Sequence, residues 1–308
     1  MNNKPDVSII IVSYNVKDFL SACIHSIQNN FSKSEIIVVD NNSADGTVEA
    51  IKNKFPDVKM IANRENKGFS GANNQGMAIA QSQNIFVLNP DTEIIGNAIQ
   101  KLLERLNAQG QLAIIAPKLL NADRSLQLSC WRFPRVFKIF LELFYLHRLT
   151  ASGNYSRKEM QSAFYPDAVS GAAMLFTKVL INRIGVLDEN LFWMEDVDFC
   201  YRAKKAGTRV EYFPGAEVVH HIGKSSSSNY RAVIANQLLS KLKYIRKHSN
   251  RFIYFLACVL ILLQIISRII LLLFLAPFAS KYKAKLSSYF YLLQKYFKLI
   301  GGSNEIVR

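Results

Sequence analysis

Four short stretches of this 308-residue chain gather side chains able to do chemistry. Asp40-Asn41-Asn42-Ser43 follows one apolar run and Asn89-Pro90-Asp91 follows another. Glu195-Asp196-Val197-Asp198 places three acids in four residues beside Phe192 and Trp193, and His220-His221 ends a further apolar run. A carboxylate ending a buried strand can accept the imide N–H of uracil or thymine, which discriminates against adenine, and Asp40 has that position. Carboxylates whose pKa is raised by apolar neighbours suit general-base work. The three acids at 195–198 fit that description; they also read as the acid-enriched first turn of a helix. The Asn- and Gly-rich stretch 63–76 carries Gly68 and Gly71, which let the backbone approach a ligand closely. A helix starting there would offer N–H groups to a diphosphate. Arg64 and Lys67 nearby either add positive charge to that site or are simply solvated.

The elements that must position these groups follow from hydrophobic period. Val7–Val12 is a continuous apolar run, the pattern of a strand buried on both faces. Val16, Phe19, Leu20, Cys23, Ile24 and Ile27 then recur at helical spacing. Glu35–Val39 reads as a strand, residues 47–55 as a helix, Val58–Ile61 as a short strand and Ala72–Ala80 as a small-residue helix. Ile85–Leu88 is a strand, Ile99–Leu106 a helix and Leu112–Ile115 a strand. This βαβα rhythm predicts an α/β fold, a mostly parallel sheet flanked by helices. In such sheets ligands bind beyond the carboxyl ends of the strands, where both the Asp40 and Asp91 clusters fall. Residues 121–165 mix aromatic and basic side chains without a period, with a helix expected at 136–147. Beyond them a helix is expected near Lys178–Ile184, another over Asp196–Ala206 and a strand over Arg209–Phe213.

Half of the residues are apolar, which supports a real core, and the formal charge of +15 is unevenly placed. Residues 1–120 hold 11 Lys/Arg against 11 Asp/Glu, residues 121–240 hold 15 against 11, and residues 241–308 hold 12 against 1. A nucleic-acid enzyme carries its basic residues around the active domain. Here they flank an apolar run in the tail, which suits an anionic membrane surface instead. The four cysteines (Cys23, Cys130, Cys200, Cys258) are scattered with no C-x-x-C pair, fitting a reducing compartment. The N-terminal apolar run is six residues long and lacks a small-residue cleavage site, so it is expected to be a strand and the active domain to stay in the cytoplasm.

The ordered motifs VSIIIVSYN, VVDNNSADGT, NRENKGFSGANNQG, VLNPDTEI, SGAAMLF, MEDVDFCYRAKKAG and VVHHIGKS resemble those of family-2 glycosyltransferases of the GT-A fold, most closely the bacterial rhamnosyltransferase-like members. The resemblance covers roughly residues 6–230. It implies an inverting transfer of a sugar from a pyrimidine nucleotide donor, dTDP- or UDP-linked, with a divalent cation, Mg²⁺ or Mn²⁺. It places Ser13, Tyr14, Asn15, Asp40 and Asn42 around the nucleoside, and Arg64, Lys67, Gly68 and Asn89 along the donor. Asn89-Pro90-Asp91 occupies the position of the family's Asp-x-Asp metal motif. Its first acid is replaced by Asn89, which leaves Asp91 as the carboxylate ligand and makes the diphosphate itself a major one. The resemblance makes Asp196 the base with Glu195 beside it, and Asp198 either a helix-start or a site-orienting acid. A histidine of the 220–221 pair completes the metal site, His220 being preferred, since imidazole suits manganese. Asp45 and Ser43 read as caps for the following helix. Ser225–Ser228 reads either as a loop closing over the donor or as a linker.

The division expected is a catalytic domain at 1–235 and a basic, apolar helical membrane-association region at 236–308. Residues 252–279 are long enough to cross a bilayer, but Gln264, Ser267 and Arg268 interrupt the middle on one face. Basic residues at both ends give no direction from charge, so a span and an in-plane helix are both open, as is a soluble core helix. Residues 286–299 read as amphipathic. Attachment at the inner leaflet would favour a glycan or polyprenyl-linked acceptor in cell-surface polysaccharide synthesis. Two alternatives belong to other classes. A sugar-nucleotide nucleotidyltransferase would need a Gly-rich basic loop after the first strand, where this chain has SYNVKDF. A non-catalytic membrane adaptor is separated by whether donor is turned over.

Overall fold

The computed structural model describes residues 4–110, 112–146, 155–221 and 230–302. The chain forms two compact units. The first comprises Met1–Phe133, Asn154–Glu189 and Glu195–Ser225; the second comprises Pro134–Gly153, Asn190–Met194 and Ser226–Arg308. A single cut at 235/236 does not anticipate the two short stretches, 134–153 and 190–194, that join the tail.

In the first unit the elements run β1 (Val7–Ser13), α1 (Lys17–Asn30), β2 (Ser34–Asp40), α2 (Thr47–Lys54), β3 (Lys59–Ala62), α3 (Gly68–Ile79), β4 (Asn84–Leu88), β5 (Thr92–Ile94), α4 (Ala98–Gln109) and β6 (Ala113–Leu120). After β7 (Cys130–Trp131), helix α5 (Val136–Leu143) belongs to the second unit. The first then resumes with β8 (Ala168–Val169), β9 (Ala173–Thr177), α6 (Lys178–Ile184), α7 (Glu195–Lys205) and β10 (Arg209–His220). One sheet has the order β3-β2-β1-β4-β9-β6-β10-β5, and β7 pairs with β8 in a second. β3, β2, β1 and β4 are mutually parallel, as are β6 and β10, while β9 and β5 run against their neighbours. The sheet is therefore mixed but mostly parallel. Its apolar run at β1 is buried on both faces: Ile9 and Ile11 join the core built with α1, α2 and α4, while Ile10 faces α3. A Cβ at Gly76 would sit 2.5 Å from Ile10 Cγ2, so glycine is what lets α3 close on the strand.

Three differences from the sequence expectation have local causes. α3 begins at Gly68, where φ is +74°, rather than at Ala72. β10 runs on to His220 through a bulge between Phe213 and Glu217, where Pro214 and Gly215 break the ladder. The expected helix at 136–147 is α5, ending at Leu143, and its expected last residue lies outside the described residues.

The second unit contains α5, α8 (Tyr230–His248), α9 (Arg251–Leu275) and α10 (Ser280–Ile300), with a 3₁₀ turn at Ala276–Phe278. Asn250 caps α9 by accepting from Ile253 N–H at 2.9 Å. Arg268, in mid-helix, donates to the carbonyls of Glu142 (3.1 Å) and Leu143 (3.4 Å) at the end of α5 and lies 3.6 Å from the Tyr145 ring centroid. Residues Arg251–Phe278 are, among the described residues, the one helix long and apolar enough to cross a membrane by length and composition.

Candidate active site

Parallel strands deliver their carboxyl ends to one rim, and the loops leaving β1 and β2 are stitched together there. Asn15 N–H donates to Ser43 Oγ (2.9 Å), Ala44 N–H to Asn15 Oδ1 (2.7 Å) and Asn41 N–H to Ser13 O (2.8 Å). Asn15 and Asn42 both take left-handed backbone (φ +54° and +68°), which asparagine tolerates. Ser13 is buried, while Tyr14 and Asn42 are exposed. Asp40 is 1% exposed and accepts from Ser43 N–H (2.8 Å) and Ser43 Oγ (2.6 Å). Each carboxylate oxygen retains a further lone pair. Asp45 accepts from Lys17 N–H (3.0 Å) and Thr47 N–H (3.1 Å), so it ties α1 to α2.

Asn41, which sequence reasoning passed over, organises the next loop. Its amide donates to Gly68 O (3.2 Å) and accepts from Asn63 (3.0 Å) and Lys67 N–H (3.3 Å), and Asn63 in turn exchanges two bonds with Gln75. Arg64 and Lys67 stand exposed before α3, Lys67 lying 3.6 Å from Glu65. Gly68 meets the turn's positive φ, whereas Gly71 leaves room for Lys67 Cβ and the Glu189 carboxylate.

At the end of β4, Asn89, Asp91 and His220 converge. His220 Nε2 lies 3.3 Å from Asp91 Oδ1 and 3.3 Å from Asn89 Nδ2. Asp91 is 2% exposed, and its Oδ1 accepts no hydrogen bond. The orientation of His220 is set by Gln127, a buried residue with no periodic signal around it. The Gln127 amide nitrogen must donate, because it faces two carbonyl-type oxygens, His220 O (3.1 Å) and Asn121 Oδ1 (3.0 Å). Gln127 Oε1 therefore faces His220 Nδ1 at 2.8 Å, and Nδ1 carries the proton. Nε2 then accepts from the Asn89 amide at 3.3 Å, and it also lies beside the orphan Asp91 oxygen, where two acceptors repel unless a cation or a proton lies between them. The donor set, one carboxylate and one imidazole with its far nitrogen fixed, fits a divalent cation. His221 turns elsewhere: its Nε2 is 2.7 Å from Glu93 and its ring packs on Phe19. Ser225–Ser228 lies outside the described residues.

Asp196 is brought to the same rim by the link between β8 and β9. Gly171 N–H donates to Asp196 Oδ2 (3.1 Å), while the next residue's carbonyl, Ala172 O, accepts from Asn89 N–H (2.8 Å). Val197 N–H donates to the other oxygen, Oδ1 (2.7 Å). Withdrawal from water raises the Asp196 pKa to about 6, with those backbone donors offsetting part of the rise. The sequence pointed to Phe192 and Trp193 as apolar neighbours; within the first unit, Phe69 of α3 and Asp196 of α7 both close on Gly171. Glu195 opens α7 half-buried. Asp198 is fully buried and paired with Arg202 (2.8 Å), whose guanidinium also donates to the carbonyls of Ile184 and Val186. It is a structural strut.

Comparison with known proteins is consistent with this layout. The family model described as glycosyl transferase family 2 matches residues 8–180. The N-acetylglucosaminyl-diphospho-decaprenol L-rhamnosyltransferase of Mycobacterium tuberculosis is 26% identical over 207 residues, 62% of this chain and 67% of that protein. Among solved structures, the mannosyltransferase PcManGT of Pyrobaculum calidifontis in complex with GDP-Man and Mn²⁺ aligns with TM-score 0.58 at 16% identity, over 96% of this chain and 87% of that one. GalNAc-T7 with UDP, GalNAc and Mn²⁺ aligns with TM-score 0.58 at 16% identity, over 80% of this chain and 48% of that one.

Proposed function

Because this chain belongs to glycosyl transferase family 2 and is a glycosyltransferase, we propose that it transfers a hexose, rhamnose in the first instance, from a dTDP- or UDP-linked donor with inversion. The acceptor is a glycan or polyprenyl-linked sugar at the cytoplasmic face of the inner membrane, in cell-surface polysaccharide synthesis. The observation that carries the reading is the rim itself: Asn89 and Asp196 are joined through adjacent residues, Ala172 and Gly171, and Asp91 and His220 sit 3.3 Å apart beside Asn89.

In this reading the stitched loops of Ser13–Asn15 and Asp40–Asn42 hold the nucleoside, with an Asp40 oxygen accepting the pyrimidine imide N–H. The start of α3, with Gly68, Arg64 and Lys67, faces the diphosphate. Asp91 and His220 would hold Mg²⁺ or Mn²⁺, with Asn89 alongside, and the ion would supply Lewis-acid neutralisation of the leaving diphosphate. Gln127 accepts from Nδ1–H, so in the neutral ring it is Nε2 that is turned to the ion. Asp196, with Glu195 beside it, takes the acceptor hydroxyl proton. The acceptor oxygen forms its bond to the anomeric carbon as the bond to the diphosphate oxygen breaks. Two backbone N–H groups fix the carboxylate's aim, and a pKa near 6 leaves it ionised yet basic at neutral pH. The basic, apolar second unit is the membrane attachment.

The test incubates purified protein with a panel of nucleotide sugars, with and without Mn²⁺ or Mg²⁺, and follows nucleoside diphosphate release on adding a polyprenyl-linked acceptor. Release from a pyrimidine donor that requires the cation supports the reading; release from none of them rejects it.

A further inference from the structure

We infer that the second unit holds α9 in the plane of an anionic membrane surface, as a one-leaflet dock, and that α9 does not cross the bilayer. The inference rests on the membrane attachment proposed above and decides its geometry. Phe252, Val259, Leu263, Ile266, Ile270 and Phe274 are all exposed. At 3.6 residues per turn they fall within about 80° of one another and extend about 33 Å along the helix. Length alone therefore fits either orientation.

The opposite side of α9 decides between them. Arg268 lies about 160° around from Phe252, with its guanidinium bound to the last carbonyls of α5 and stacked over Tyr145. Glu142, whose carbonyl takes part in that contact, pairs through its side chain with Lys241 of α8 (2.8 Å). This side of the helix is covered by protein, not lipid: buried Ala257, Ile261 and Leu272 flank Arg268, whose charge ends on carbonyls of α5.

α10 gives an independent argument. It returns along α9, since the turn at Ala276–Phe278 joins them and Tyr296 Oη donates to Cys258 O (2.9 Å). Counting back from that contact at equal rise brings Lys285 about level with Ile269 and Lys283 about level with Leu271. Both lysines are exposed. A spanning α9 would carry them into the hydrocarbon, where a charge is costly. An in-plane α9 immerses only its apolar stripe and leaves α10 at headgroup level. Exposed Arg246 before the helix, Arg251 at its first position, and Lys283 and Lys285 after it then meet anionic headgroups. The excess of 12 basic residues over 1 acid in residues 241–308 matches such a partner.

The experiment uses the full chain in a bacterial host, carrying Arg246→Cys or Ser280→Cys, with a membrane-impermeant maleimide; Ser280 is exposed and follows the turn that ends α9. The native cysteines are all buried, and the unsubstituted chain measures their background. Labelling of both variants in inverted inner-membrane vesicles and of neither in sealed spheroplasts is expected. Labelling of Ser280→Cys, just past the far end of α9, from the outside of spheroplasts would overturn the in-plane geometry while leaving attachment intact. A second measurement co-sediments the purified chain with vesicles of equal parts phosphatidylcholine and phosphatidylglycerol. Phe252→Ser with Phe274→Ser, both at exposed positions, should lower the bound fraction's partition coefficient at least about tenfold. Arg268→Leu should leave it unchanged within about twofold, because that side chain faces protein. Protein that stays in the supernatant, alone or as a dimer, would overturn the attachment itself, whatever donor turnover shows.

Discussion

Glu35, near the start of β2, and Asp91, just past the end of β4, are both buried in one sheet, yet they are treated in opposite ways. Glu35 is surrounded by donors: Ser8 Oγ, the Lys59 ammonium and Gln81 N–H (2.8 Å). Burial raises its pKa, but Gln81 N–H, Lys59 and Ser8 outweigh that and hold it below the ordinary glutamate value. Asp91 keeps one oxygen without a hydrogen bond, opposite a histidine lone pair, and Asp196 near it has a pKa lifted to about 6. Near the amino edge of the sheet a carboxylate is fully used for stability, whereas at the carboxyl rim Asp91 keeps an oxygen open. Buried polar groups are normally paired, so the open Asp91 oxygen beside His220 is a place where a ligand can complete the structure.

Four measurements would sharpen or break this contrast. The largest effect is expected from Asp196→Asn, which should lower kcat about 10²–10⁴-fold while donor binding persists; its melting temperature should fall modestly, because one of the Gly171 and Val197 N–H groups loses its acceptor. The wild-type rate should rise with pH through about 6 as Asp196 loses its proton, and that limb should vanish in the variant. A wild-type rate for Asp196→Asn would reject the assigned base. Next, Asp91→Asn should abolish Mn²⁺ binding in a calorimetric titration and cost about a hundredfold in rate. Its melting temperature should not fall, because the oxygen removed has no partner to lose.

Gln127→Ala should weaken Mn²⁺ affinity by about 10–100-fold, read by electron paramagnetic resonance of the free ion. Unchanged affinity would show that the Nδ1–H bond is dispensable. The smallest catalytic effect is expected at the other edge. Glu35→Gln should leave kcat within about twofold but cost about 1–3 kcal/mol of stability in a denaturant titration. With a depressed folded pKa, Glu35 contributes stability above its unfolded pKa and loses it as pH falls through the lower folded value. The wild type should therefore lose an acid-sensitive component that the variant lacks.

Much of this was legible along the chain. The apolar run Val7–Val12, the helical spacing of α1 and the polar clusters after β2 and β4 follow from period and turn chemistry, because each is a local property. The roles expected of Asp40, Asp91 and Asp196 rested largely on the resemblance of their motifs to the family's. Gln127 was not legible, since it lies in a stretch without hydrophobic period and acts on a histidine 93 positions later. Asn41 was hidden beside more conspicuous acids, and its side chain ties the β2 loop to Asn63, Lys67 and Gly68 more than twenty positions later. The antiparallel insertion of β9 between β4 and β6 was likewise invisible, because an apolar run does not state which neighbour it pairs with or in which direction.

By itself the sequence determined the kind of molecule: the α/β alternation, the acids at strand ends and a basic tail around one apolar helix, all of which are patterns within a few turns of chain. Tertiary structure alone decided which histidine faces Asp91, that Asp198 is a strut for Arg202, and that Arg268 ends against carbonyls of α5. Those outcomes depend on desolvation and on donors arriving from distant elements, and neither quantity exists until the chain has folded.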